Sequence, residues 1–200
     1  GLAIRILCFD GIQESLNADG RPFNWEADAL AKELEGSGLH GCILPLKSVG
    51  VQGDERTYRH PALVWPAPGT TPGWDIVLPT AARIVNRLKS VNRVLFSAEN
   101  LGDERFDMVR TLLTSEIVEQ LQHVDALCRR MTDGLDEIWQ MPVVSLPMLD
   151  HRGLRTFVIR PICSRDAMTA SVFRMEPDLL AKMQAEAFRL PGVGRLLYDV

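Results

Sequence analysis

The chain has 200 residues, 46% of them hydrophobic and 24% charged, with a formal net charge of −4. That balance excludes a predominantly disordered chain, suits one large domain or two small ones, and offers no Lys- and Arg-rich footprint for sequence-independent nucleic-acid binding. No run approaches the roughly 18 apolar residues of a membrane span, and Gly1 to Asp10 lacks the basic start and cleavage site of a secretory signal, so the expected compartment is the cytoplasm.

The chain opens without an initiator Met on Leu2-Ala3-Ile4-Arg5-Ile6-Leu7, an apolar stretch of strand length that reads as a piece of something longer. A helix is predicted from Trp25 to Glu35, stopped by Gly36-Ser37-Gly38, then a strand from Cys42 to Val49 that contains Pro45. After a polar, Gly-bearing loop the chain resumes as a strand through Arg56-Thr57-Tyr58-Arg59-His60-Pro61-Ala62-Leu63-Val64. Pro66 to Gly73 must be a loop, because its prolines remove donors and its glycines add backbone freedom. A helix from Ile76 to Lys89 and a strand from Val91 to Phe96 close this stretch, and Ser97 to Arg105 is polar enough to be a linker.

The same order then recurs about a hundred residues later. Ser115 to Met131 places Ile117, Val118, Leu121, Val124, Leu127 and Cys128 on one helical face, and a strand through Pro142-Val143-Val144 follows. Arg155-Thr156-Phe157-Val158-Ile159-Arg160-Pro161-Ile162-Cys163 answers the strand at Arg56, both beginning Arg-Thr-aromatic. A helix from Asp178 to Arg189 answers the one from Ile76, and Val193-Gly194-Arg195-Leu196-Leu197-Tyr198 answers Val91 to Phe96, each with an Arg before three large apolar residues. The fold class is therefore α+β, as two repeated units of helix, strand, strand, helix, strand, each a small sheet covered by helices. The units are predicted over residues 25–98 and 115–200, with residues 1–24 preceding them and 99–114 linking them. Units of such size leave surface to bury, so the two are expected to pack as a pseudo-dimer within the molecule.

Catalytic constellations are missing. Cys8, Cys42, Cys128 and Cys163 are scattered singly among apolar neighbours and read as reduced core thiols, and His40, His60, His123 and His151 form no metal-binding pair. There is no Walker loop, no GxGxxG and no GxSxG elbow, and Asp54-Glu55 and Asp103-Glu104 read as solvated loop carboxylates. One segment does suit a ligand: Lys47-Ser48-Val49-Gly50-Val51-Gln52-Gly53-Asp54-Glu55-Arg56-Thr57-Tyr58. Its glycines let backbone amides approach closely, Arg56 can present a planar fork to phosphate, and Lys47 adds a point charge. A hairpin turn with solvated charges fits the same residues.

From Leu44-Pro45-Leu46 through Lys47 to Tyr58, the chain resembles the signature of the GMP synthase C-terminal domain. Asp166-Ala167-Met168-Thr169-Ala170 and Pro191-Gly192-Val193-Gly194-Arg195-Leu196-Leu197-Tyr198-Asp199 are similar to two further segments of that domain, and Gly1-Leu2-Ala3-Ile4-Arg5 to the last strand of the family's ATP pyrophosphatase domain. The resemblance covers the whole chain and points to the long variant, whose pairing unit is repeated; it leaves a homodimer open. It implies that ATP adenylylates the 2-oxygen of xanthosine monophosphate and that ammonia from glutamine displaces AMP to give GMP. ATP and Mg²⁺ would be cofactors of the full-length enzyme, and no cofactor is expected in this segment, which lacks the amidotransferase Cys motif and the Ser-Gly-Gly-x-Asp-Ser phosphate loop and should be inactive alone.

What the resemblance leaves to these residues is to hold the nucleotide while a neighbouring pyrophosphatase domain activates it. It implies that Arg56 and Arg195 contact phosphate and that Gln140 hydrogen-bonds the nucleotide, and the point charge of Lys47 joins them as a candidate on its own chemistry; no residue of the segment is expected to be catalytic or to bind metal. The family's closing Lys-Pro-Pro-x-Thr-Ile-Glu-Trp-Glu tail does not occur in these 200 residues, so weak binding by the segment alone is expected. The competing expectation is a pairing module that binds protein and no nucleotide; an RNA-binding role is disfavoured by the acidic balance.

Overall fold

The computed structural model describes residues 26–52, 55–102, 106–164 and 170–200, without the side chains of residues 50–52 and 55–57. The strand expected at Leu2 to Leu7 and the Asp166-Ala167-Met168-Thr169 motif thus lie outside the described residues. The architecture is α+β, with mixed sheets and, among the described residues, four α-helices. The described residues divide into two compact units, one of residues 26–102 with Val200 and one of residues 106–199.

The first unit begins with α1 (Ala27–Leu34). The Ser37 hydroxyl donates to Leu34 O at 2.6 Å and accepts from Leu39 N, while Gly36 and Gly38 take the positive φ of 71° and 68° that turns the chain into β1 (Leu39–Ile43). The strand predicted as one piece from Cys42 to Val49 is two. β1 ends where Leu44 N donates to Pro61 O, and β2 (Ser48–Gln52) restarts after Lys47. Pro45, having no N–H, cannot carry the ladder through. Both strands pair antiparallel with the long β3 (Glu55–Pro66), β2 along its first half and β1 along its second. The loop after β3 is pinned to Gly38 O by Ala67 N and the Thr70 hydroxyl. A crossover through α2 (Trp74–Arg87) brings β4 (Val91–Phe96) parallel to β3. Leu30 and Leu34 of α1, Val77, Ala81 and Ile84 of α2, and Ile43, Val64, Val94 and Leu95 of the sheet are buried, each large side chain contributing about 1.5–3 kcal/mol. Glu33 is nearly buried and fastens the helices together: Arg87 Nη1 donates to its carboxylate at 3.2 Å and Arg83 Nη2 to its backbone O at 2.9 Å.

The second unit contains β5 (Asp107–Met108), α3 (Ser115–Met131), β6 (Val143–Leu149), β7 (Arg155–Ile159), the short pair β8 (Ile162–Cys163) and β9 (Ser171–Val172), α4 (Pro177–Ala187) and β10 (Val193–Asp199). Thr114 caps α3 by accepting from Ile117 N, and Pro177 opens α4 at a position where no intrahelical donor is needed. β6 runs antiparallel to both β5 and β7, and β10 runs parallel to β7. The stretch predicted as one strand from Arg155 to Cys163 breaks at Arg160-Pro161, again where proline removes a donor. Ile117, Val124 and Leu127 of α3, Leu180 and Met183 of α4, and Phe157, Ile159, Leu196 and Tyr198 of the sheet form the core. Two polar groups are placed within it: Tyr198 Oη donates to Phe173 O at 2.6 Å and Gln184 Nε2 to Leu196 O at 3.0 Å.

The thiols depart from the core-only expectation. Cys128 is buried, but Cys42 and Cys163 are only partly so. Desolvation pushes the Cys42 thiol up to about 12, and desolvation together with the nearby Asp125 charge does the same for Cys128; neither forms the thiolate that reactivity requires.

Candidate functional site

The ligand-suited segment of the first unit is a two-stranded ribbon. Its register is Ser48 with Arg59, Val49 with Tyr58, Gly50 with Thr57, Val51 with Arg56 and Gln52 with Glu55. Arg56 therefore sits on β3 opposite Val51; its side chain, like residues 53 and 54, lies outside the described residues. Lys47 stands at the foot of the ribbon with its side chain exposed, and Val49 and Tyr58, paired across the ribbon, are 45% and 67% exposed.

Side chains of β4 fasten the root of this ribbon. Ser48 is buried; its hydroxyl donates to Asn92 Oδ1 at 2.9 Å, and Asn92 Nδ2 donates back to Ser48 O at 2.8 Å. Arg93 Nη2 donates to Val49 O at 3.0 Å. Asn92 is the extra residue of a bulge: Val91 pairs with His60 and Arg93 with the very next residue, Pro61. Sequence reasoning overlooked Asn92 and Ser48. The available signal was an Asn within a strand of Val, Leu and Phe, where asparagine is disfavoured.

In the second unit, Gln140 exchanges both backbone hydrogen bonds with Ile162, at 2.7 and 3.3 Å, leaving its side chain exposed. It lines a cleft of about 550 Å³ together with Arg129, Asp133, Asp136 and the half-exposed Trp139. Arg195 lies on β10 opposite Thr156, its guanidinium 5.6 Å from the centre of the Phe188 ring. A bulge precedes it, since Val193 pairs with Arg155 and Arg195 with Thr156. Gly194 occupies the bulge, and an added Cβ would stand 2.7 Å from Asp150 Oδ2 and 2.8 Å from Leu154 O. Asp150 is buried and accepts from Arg152 N, Leu154 N and the Arg152 guanidinium, which in turn reaches Gly194 O at 3.0 Å.

Gln140 and Arg195 lie at different places in this unit. Arg195 is in register with Thr156 of β7, and Gln140 bridges Ile162 of β8. Among the described residues no group of three or more His, Cys, Asp and Glu side chains is arranged to hold a metal ion, and no helix is long and apolar enough to cross a membrane.

No family model matches the chain. Curated proteins do. A probable glutamine-hydrolyzing GMP synthase of Leptospira interrogans is 32% identical over 168 residues, covering 82% of this chain. This chain matches a part of GMP synthase. A probable GMP synthase of Caenorhabditis elegans is 28% identical over 201 residues and 88% of the chain, and the GMP synthase of Dictyostelium discoideum is 28% identical over 144 residues and 64% of it. The resemblance to GMP synthase seen at Lys47 to Tyr58 is thus borne out over most of the chain, and the chain spans about a quarter, 27%, of the length of the first two of these relatives.

Proposed function

We propose that this chain is the nucleotide-holding and pairing part of a GMP synthase, a glutamine-dependent ligase that aminates xanthosine monophosphate to GMP. The observation that carries the reading is the likeness to GMP synthases over 82% of the chain, joined to a ribbon that presents Lys47 at its foot and Arg56 on its second strand. Arg56 and Lys47 hold the phosphate, a planar fork beside a point charge, and Gln140 hydrogen-bonds the nucleotide from its open cleft. Arg195, whose guanidinium packs over the Phe188 ring, is assigned to phosphate as well. ATP and Mg²⁺ act elsewhere in the enzyme, since no phosphate loop occurs in this sequence and no bond-making step is assigned to it. The setting is the cytoplasm.

The two units are read as copies of one ancestor that pair within the molecule. Support comes from their common order: a helix, an antiparallel strand pair, a helix, a parallel strand, and a bulge one residue before Arg93 and Arg195 alike.

The test is Arg56→Ala in the protein encoded by the open reading frame that holds this chain. Loss of a charged hydrogen bond of about 1.5–3 kcal/mol should raise the KM for xanthosine monophosphate by about 10- to 150-fold and leave the KM for ATP unchanged. An unchanged KM for xanthosine monophosphate refutes the reading and favours a pairing module that holds no nucleotide.

A further inference from the structure

We propose that Asn92 is a positioning residue for nucleotide binding, acting through the β2–β3 ribbon; the inference rests on the assignment of Lys47 and Arg56 to phosphate. A two-stranded ribbon is marginal by itself in water, and an arginine can meet a phosphate bidentately only if the strand bearing it is held still. The β3 half that carries Arg56 precedes the first β3 residue paired with β4, so the β4 ladder does not hold it directly.

What ties it down is the pair of hydrogen bonds between Asn92 and Ser48, with the Arg93 bond to Val49 O. The arrangement is specific in chemistry. The Asn92 amide offers an acceptor to the Ser48 hydroxyl and a donor to the Ser48 carbonyl at once, which neither aspartate nor a hydrophobic residue can do. It is also specific in place, because the bulge at Asn92 disturbs the regular ladder where the side chain turns to β2. Ser48 adjoins Lys47, so the same two bonds fix the foot of the ribbon and the cation beside it.

Asn92 touches no ligand in this scheme, and its loss should therefore appear in binding and not in turnover. In the protein encoded by the open reading frame holding this chain, Asn92→Ala is expected to raise the KM for xanthosine monophosphate about tenfold, with kcat at saturation within about twofold and the KM for ATP unchanged. Asn92→Asp should behave likewise, since its carboxylate faces the Ser48 carbonyl. Amide hydrogen exchange gives a second readout: the variant should exchange faster at β2 and not at β1. Should Asn92→Ala unfold the protein, Ser48→Ala, which removes only the hydroxyl, takes its place and should raise the same KM several-fold.

If Arg56→Ala raises the KM while a folded Asn92→Ala leaves it at the native value, the positioning role is overturned and the phosphate assignment survives. If Arg56→Ala itself changes nothing, the underlying reading has failed.

Discussion

The buried Asp150 carboxylate takes part in how the second unit responds to acid. Burial alone would raise its pKa, but the Leu154 and Arg152 backbone N–H groups, the Arg152 guanidinium and its charge outweigh desolvation and hold it below the usual carboxylate value. A carboxyl lowered in the folded state stabilises the protein fully above its unfolded value, 3.8, and loses that contribution as pH falls through the lower folded value. Asp150→Ala would strand the Arg152 and Leu154 backbone donors and remove the partner of a half-exposed Arg152 guanidinium, a cost on the order of 1–3 kcal/mol at neutral pH. Urea unfolding from pH 7 down to pH 2 should show native and variant curves converging at the acid end. A gap of constant size across that range would mean that the Asp150 charge does not take part.

Each unit carries one β-bulge in its final strand, and the two bulges are used differently. At Asn92 the extra residue reaches out to hold a ribbon of five residue pairs; at Gly194 it is itself held, by the short Asp150 to Leu154 turn. The second arrangement needs glycine for space and not for conformation, because the atoms a Cβ would meet include the Leu154 carbonyl. Gly194→Ala is expected to cost about 1–3 kcal/mol, read as a lower urea midpoint at unchanged m-value. A midpoint equal to the native one would show that the turn moves aside freely. The elements themselves were largely readable from pattern: Ser115–Met131 and Val91–Phe96 lie where periodicity and strand composition put them. The strand breaks at Pro45 and Pro161 were not read, although proline chemistry announces them, because the flanking apolar residues simulate continuity. The bulges were beyond reach, since a one-residue shift of register depends on pairing with a strand distant in sequence.

At the scale of the molecule, sequence pattern reached the α+β class and the likeness to GMP synthase. Gln140 and Arg195 are each recognisable as residue types, yet only register shows that Arg195 lies beside Thr156 of β7 and Gln140 beside Ile162 of β8. Organisation also bears on association. A unit of about 80 residues buries a modest share of its surface and gains from a like neighbour, and the proposed pairing supplies that neighbour within the chain. Such a chain has no need of a second copy, whereas a single unit would have to find one in solution, with a concentration-dependent loss of translational freedom. Sedimentation equilibrium of the chain should then give the monomer mass of 22.3 kDa, unchanged as concentration rises from about 1 to about 100 μM. A mass that doubles over this range would show that surface left open by the units is satisfied between molecules, and the proposed pairing within the chain would be refuted.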